Sequence, residues 1–581
     1  MSYLSKWFNT KKTPQSAPIP GTSQVANSAG GFAFAVDDWT RLDRFLILGA
    51  EGGSYYATER TLTRDNAQAV LRCLQLDGRR VVSRIVEISD QGRAPKNDPA
   101  LFALALAAKL GDVETRRAAF AALPRVARIG THLFHFAEYV KALGGWGRGT
   151  MRAFARWYTD MEAGRLAHQA VKYQSRDGWS HRDLLRKAHP VAKDERQQAI
   201  FHWMVKGWES VGEVPHPDEV LATIWAFERA KRLGRVGAGE LGSPEPVAGG
   251  FGNPPRVPKT IDKKDVGLLV ELIRQYRLPH ECVPTEMKRY PEVWEALLPE
   301  MGLTAMLRNL GKMTEVGLLG AFSDAERLVV SRLERAEALR TGRVHPLQIL
   351  VAMNTYAQWH GEKGKLTWKP RRKIVDALDG AFYLAFKAIE PTYARTLLAL
   401  DVSGSMARGL IAGMPGITPR VGSAAMALIT AAVEPNHELV AFTNGPGRSM
   451  YRDIGCGISP LAISPRSRLD HVVKAVSDLP FGGTDCALPM IWAAENKVPV
   501  DVFCVYTDSE TWAGNIHPVQ ALRSYRHQTG IAAKLVVIGM VSNGFSIADT
   551  DDGGMLDVVG FDTATPSVIA DFATQTWSAA G

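Results

Sequence analysis

Thr396-Leu397-Leu398-Ala399-Leu400-Asp401-Val402-Ser403-Gly404-Ser405 is a short apolar run that ends on a carboxylate and passes into a loop of small hydroxyl residues. An unbroken apolar run with no polar alternation describes a strand buried on both faces. Leu439–Phe442, Val500–Tyr506 and Lys534–Met540 are similar runs. Helical stretches separate them at Ser423–Val433, Leu469–Leu479 and Pro518–Gln528. This alternation predicts a doubly wound α/β domain over residues 391–581, with a parallel sheet covered on both faces.

In such a sheet, the loops at the carboxyl ends of the strands meet where ligands bind. The Asp401–Ser405 loop offers one carboxylate and two hydroxyls, a hard-oxygen set suited to Mg²⁺ or another divalent cation. Gly482-Gly483-Thr484-Asp485 and Tyr506–Thr511 are candidate partner loops. Together the three loops resemble the metal-ion-dependent adhesion site of von Willebrand factor type A domains. That resemblance implies Asp401, Ser403, Ser405, Thr484 and Asp508 as ligands, some through water. It also implies an open site that accepts a carboxylate from a partner. No nucleophile stands with a general base, so the site is expected to bind rather than catalyse.

Upstream the pattern is helical. Residues 31–235 read as helix after helix, most plainly over Asp98–Leu143. There Leu101, Leu104, Ala105 and Ala108 share a face and Gly111-Asp112 breaks the run. Short helices with brief connections predict stacked antiparallel pairs, as in helical solenoids, without a strict repeat. Residues 234–258, rich in Gly and Pro, read as a loop. Helices resume near Lys263 and run to about residue 390. Residues 1–30 are polar and are expected to form a flexible arm.

With 581 residues the chain has room for about three domains' worth of core. Hydrophobic residues make up 46% and charged residues 22%, which excludes wholesale disorder. No apolar run approaches the ~18 residues of a membrane span, and residues 1–30 lack a signal-peptide core. Five scattered cysteines without CxxC spacing argue against a disulfide framework and a zinc site, and favour a reducing cytoplasm. The net charge of +9 is uneven. Residues 391–581 carry 12 Lys and Arg against 17 Asp and Glu, leaving a net +14 on the first 390. A polyanion partner is therefore expected for the first part only.

The densest basic and aromatic segment is Lys172–Pro190 (KYQSRDGWSHRDLLRKAHP). Ser180 with Asp183 forms a capping box that starts a short helix. Lys172 and Arg176 would share a face if the preceding helix extends through them. Arg182, Arg186 and His189 fall in line on the next helix, and His181 or Trp179 offers a ring for an unpaired base, although Trp179 fits a core position better.

This segment resembles the signature of the Ro autoantigen ribonucleoproteins, whose shared module is called TROVE. Gly49–Tyr56 (GAEGGSYY), Leu303–Thr314 (LTAMLRNLGKMT), Arg343–Pro346 (RVHP), Gly482–Met490, Tyr506–Thr511 and Ser546–Asp549 match as well. The match covers about residue 31 to the end. It implies a TROVE module over 31–390, a HEAT-like helical ring closed by the von Willebrand domain. It implies Y-like noncoding RNA on the outer surface and single-stranded 3′ ends of misfolded or structured RNA in the central hole. It also implies a cytoplasmic, monomeric, non-enzymatic adaptor in RNA quality control, handing RNA to polynucleotide phosphorylase in bacteria. Lys172, Arg176 and His189 match Y RNA positions, and Arg308 and Lys312 are candidates for lining the hole.

Other motifs fail on their chemistry. Gly361–Leu366 (GEKGKL) has Trp359 and Leu366 where a phosphate loop needs Gly and Ser or Thr. His280-Glu281-Cys282-Val283-Pro284 lacks the second His of a zinc motif. The Gly cluster at 49–53 lacks dinucleotide-loop spacing and reads as a turn. The competing function is a metal-dependent docking module that recruits acidic partners, with RNA not its main ligand.

Overall fold

The strand Thr396–Asp401 forms inside a six-stranded sheet because it has no polar face to show. A computed structural model describes residues 12–575, except 52–53, 55–56, 234–261, 362–364, 387–389, 445–456, 462, 465–466, 480–481 and 562–563. The strands run in the order Met555–Val559, Lys534–Gly539, Val502–Thr507, Thr396–Asp401, His437–Phe442, Ile458–Pro460. Five are parallel. Residues 396–401 pair with 502–507 at Leu398↔Cys504 and with 437–442 at Leu398↔Leu439. The sixth, Ile458–Pro460, is antiparallel, and its Pro460 sits on the sheet edge where a missing N–H is tolerated. The doubly wound expectation holds, with a mixed sheet in place of an all-parallel one. Strands 396–401, 502–507 and 534–539 are buried at every position.

Two compact units are present. The first comprises residues 1–119, 333–355 and 376–581, so the N-terminal helices pack with the sheet domain. Arg44, on the helix Asp38–Leu48, shows why: its guanidinium is 1% exposed and pairs with Asp557 at 2.7 Å on the edge strand. It also donates to the Asn543 and Phe545 carbonyls. Asp557 interrupts the apolar pattern of Met555–Val559, which is why periodicity alone misses that strand.

The expectation of a flexible arm over residues 1–30 is corrected from residue 12 onward. Gln24–Ala26 and Phe32–Ala35 form an antiparallel sheet with Phe545–Ser546, and Ile19 and Phe34 are buried in the core of the sheet domain. Residues 1–11 lie outside the described residues, as do the Pro/Gly-rich stretch 234–258 and, in two of the quoted motifs, Gly52, Gly53, Tyr55 and Tyr56, and Glu362, Lys363 and Gly364.

The second unit, residues 120–332 and 356–375, is helical. Gly130–Ala142, Arg148–Thr159, Ala163–Lys172, His181–Ala188, Glu195–Lys206 and Glu219–Arg232 are short amphipathic helices, as the spacing predicts. No helix among the described residues is long and apolar enough to cross a membrane.

Candidate metal centre and nucleic-acid interface

Two of the three loops of the candidate metal centre follow a strand, and the third, carrying Thr484, follows the helix Leu469–Ser477. Asp401 ends its strand fully buried, and its Oδ1 accepts from Ser403 N at 2.9 Å, folding the loop back on itself. Its Oδ2 accepts from Thr507 Oγ1 at 2.7 Å, tying it to the neighbouring strand end. Ser403 Oγ lies 3.1 Å from Ser405 Oγ, and the Ser405 hydroxyl bonds the Asp508 carboxylate. Asp401, Ser403, Ser405 and Asp508 are therefore one cluster. Thr484 is held alongside by its backbone: its carbonyl accepts from Trp512 N (3.1 Å) and Ala513 N (3.0 Å), and Gly404 N donates to Gly482 O at 3.2 Å.

Burial makes ionisation of the cluster's two carboxyls costly. Burial raises the Asp401 carboxyl above its usual range. Burial, then the charges of Asp401 and Glu510, push Asp508 up to about 8. Arg420, buried at the start of the helix Pro419–Val433, is the cation facing Asp401, donating to the Ser403 carbonyl at 3.3 Å. Beside Asp508, Ser509 is held at a left-handed φ of 61° with its hydroxyl buried and unpartnered among the described residues. Two carboxylates with hydroxyls, short of positive charge, fit a hard divalent cation. Among the described residues no three His, Cys, Asp or Glu side chains cluster for metal binding, so hydroxyls would have to complete the set.

In the helical unit, Lys172 is the last residue of its helix, and the chain then turns into a hairpin. Ser175 pairs with Ser180 and Arg176 with Trp179 across Asp177-Gly178, both at positive φ (52° and 77°), the signature of a type I′ turn. The expected shared helical face of Lys172 and Arg176 is thus corrected: Arg176 projects from a strand. Arg176 is 61% exposed, whereas Lys172 is 21% exposed and 4.0 Å from Glu281.

The Ser180–Asp183 capping box is present and starts His181–Ala188. Arg182, Arg186 and His189 are exposed on that helix, with His189 its left-handed cap. His181 is corrected as a base-stacking candidate. It is a core residue, bonded to Tyr158 Oη at 2.9 Å and edge-on to Phe134. Burial lowers its ring pKa to about 4, so it stays neutral.

Trp179 is half-buried rather than in the core. It stacks on Trp146 with ring centres 4.6 Å apart and donates to Glu138 at 2.7 Å. Lys141 and Lys187 lie over the Trp179 and Trp146 rings at 5.3 and 5.6 Å. Lys141 and Trp146 escape sequence reasoning because the stacking joins residues 33 apart through a non-local contact. Arg308 is exposed on Leu303–Glu315, and Lys312 is half-buried and paired with Glu315 at 2.7 Å. His280-Glu281-Cys282 is a 3₁₀ turn in which His280 pairs with Glu281 at 3.0 Å, not a metal motif.

Both regions lie within segments that match known domain families. Residues 25–216 and 278–355 match the TROVE domain, and residues 395–573 match the Ro60 vWA domain. A Deinococcus radiodurans protein named RNA-binding protein RO60 is 41% identical over 575 residues, 99% of each chain. A Caenorhabditis elegans protein of the same name is 35% identical over 97% of this chain and 92% of its own. The crystal structure of the Deinococcus radiodurans RO (RSR) protein covers 92% of this chain and 99% of its own, with a TM-score of 0.65 at 41% identity. With both domain types matched in order and full-length similarity to a bacterial relative, the chain belongs to the Ro60 family of TROVE-domain proteins.

Proposed function

We propose that this chain is an RNA-binding, non-enzymatic scaffold of a small cytoplasmic ribonucleoprotein. Its ligands are a structured Y-like noncoding RNA and the single-stranded 3′ ends of misfolded or structured RNA. It works as a monomer in RNA quality control and stress-linked decay, delivering RNA to an exoribonuclease such as polynucleotide phosphorylase. The observation that carries this reading is the cationic rim of one capped helix and its hairpin. Arg176, Arg182, Arg186 and His189 are exposed there, on a chain whose relatives carry RNA-binding names. Exposed guanidinium groups bind phosphates through charge-assisted hydrogen bonds without reading sequence.

The von Willebrand domain is a docking module. Asp401, Ser403, Ser405, Thr484 and Asp508 would hold Mg²⁺, which supplies an open coordination position for a partner's carboxylate. This second reading, metal-dependent recruitment of acidic partners, rests on the buried cluster of carboxyls and hydroxyls at the strand ends.

The deciding experiment recovers the protein from its native cells after crosslinking and sequences the bound RNA. Enrichment of one abundant structured RNA together with 3′ ends of defective transcripts is expected. An RNA-free protein carrying stoichiometric protein partners would leave docking as the main function.

A further inference from the structure

The loops that carry Thr484 and Asp508 are bridged by a third segment from the start of the chain. The Gln15 side chain is fully buried, and both ends of its amide are used. Nε2 donates to Asp485 Oδ1 at 2.7 Å and to the Ile516 carbonyl at 2.8 Å. Oε1 accepts from the Thr511 hydroxyl and from Gly514 N at 3.3 Å. Thr511 Oγ1 in turn accepts from Cys486 N at 3.1 Å. One carboxamide therefore ties Asp485, the neighbour of Thr484, to Thr511 and Gly514 further along the loop that carries Asp508.

Asn27 and the two residues after it hold the Asp508 loop alone. Asn27 Nδ2 donates to the Thr511 carbonyl at 2.7 Å, while Ser28 N and Ala29 N donate to Glu510 Oε2 at 2.8 and 3.1 Å. The contacts leave no slack. A Cβ on Gly31 would fall on the Thr511 carbonyl, and one on Gly514 would fall between Asp485 Oδ1 and Gln15 Nε2. His517 anchors the other end, its Nε2 2.8 Å from the Ala17 carbonyl and its Nδ1 3.1 Å from Gln24 Nε2.

We propose that this N-terminal segment is a positioning element of the metal centre: Gln15 sets the spacing between the Thr484 and Asp508 loops that a divalent cation requires, and Asn27 with the Ser28–Ala29 amides fixes the Asp508 loop itself. The inference rests on reading those loops as a cation site. The physical reason is preorganisation. Ligands on separate loops bind a cation tightly only when outer contacts hold them in place beforehand. The Ser28 and Ala29 amides also hold the Glu510 carboxylate, two residues from Asp508, in a fixed position.

The test titrates the full-length protein with Mn²⁺, following free Mn²⁺ by electron paramagnetic resonance. Gln15→Ala and Asn27→Ala are each expected to weaken binding about 10- to 100-fold. Ile19→Val, a change at a buried core residue of the same segment, is expected to leave Mn²⁺ affinity unchanged. Hydrogen exchange of residues 484–486 and 508–514 in the metal-free protein should rise in the first two variants and not in the third. Asn27→Ala carries the test by itself if Gln15→Ala does not fold.

Wild-type affinity in both variants overturns the positioning role while the cation site stands. An equal loss in Ile19→Val overturns it as well, by making the effect general destabilisation. A wild-type protein that binds no Mn²⁺, or whose binding survives Asp401→Ala, overturns the cation site itself and the positioning role with it.

Discussion

At the scale of single residues, His181 sets a pH limit on the helical unit. Its buried ring is held neutral with a pKa of about 4, while in the unfolded chain a histidine titrates near ~6.5. Below about pH 6.5 the unfolded chain therefore binds the extra proton. The stability this histidine contributes is complete above that pH and is lost as pH falls towards 4, by about 3 kcal/mol in total. Denaturant midpoints of the helical transition at pH 7.5 and 5 measure it, and His181→Gln should flatten the dependence. Parallel pH slopes in the two proteins would discard this account. Lys172 and Arg176 belong to the same scale. Lys172→Ala with Arg176→Ala should weaken binding of the co-purified structured RNA by about 1–3 kcal/mol per lost phosphate contact. The more exposed Arg176 should contribute the larger share. Unchanged affinity, measured by filter binding with an unchanged circular dichroism spectrum, counts against the assignment.

Among the elements, what was legible depended on how local the cause is. The capping box of His181–Ala188 is written in Ser180 and Asp183, three residues apart, and the structure has it. The Asp177-Gly178 turn is equally local, yet the positions of Lys172 and Arg176 four apart suggested a continuing helix. The left-handed preference of Asp-Gly prevails because it closes a hairpin whose strand Trp179 packs on Trp146. The edge strand Met555–Val559 was not legible, since its Asp557 is explained only by Arg44, 513 positions away. That pair makes a further prediction. Asp557→Ala leaves the Arg44 guanidinium buried without its counter-charge and should cost about 3–5 kcal/mol. Replacing both partners with apolar residues should recover most of the loss. A single-variant cost below about 1 kcal/mol, read from thermal unfolding, would mean that the carbonyls around Arg44 suffice.

For the whole molecule, the proposed function predicts that the charge division separates two kinds of binding. The basic first part should hold RNA through phosphates, so RNA affinity should fall steeply and log-linearly with salt and be indifferent to chelation. Partner capture through the metal centre should do the opposite, surviving moderate salt and disappearing with EDTA or Asp401→Ala. Comparing RNA retention with protein co-purification across both treatments checks the separation. Loss of RNA affinity in Asp401→Ala would show that the two functions share one site.

Sequence alone determined the elements whose cause lies within a few residues. Buried strands declare themselves by unbroken apolar runs, and short helices by their spacing and caps. Tertiary structure decided what depends on residues hundreds of positions apart. It put His181 in the core, Arg44 against Asp557, and the N-terminal arm beside the loops that carry Thr484 and Asp508. A polar residue in the sequence carries no mark of whether it faces water or a buried partner. Only the fold brings Gln15 to Asp485, 470 positions along the chain, and supplies the hydrogen bonds that make its burial favourable.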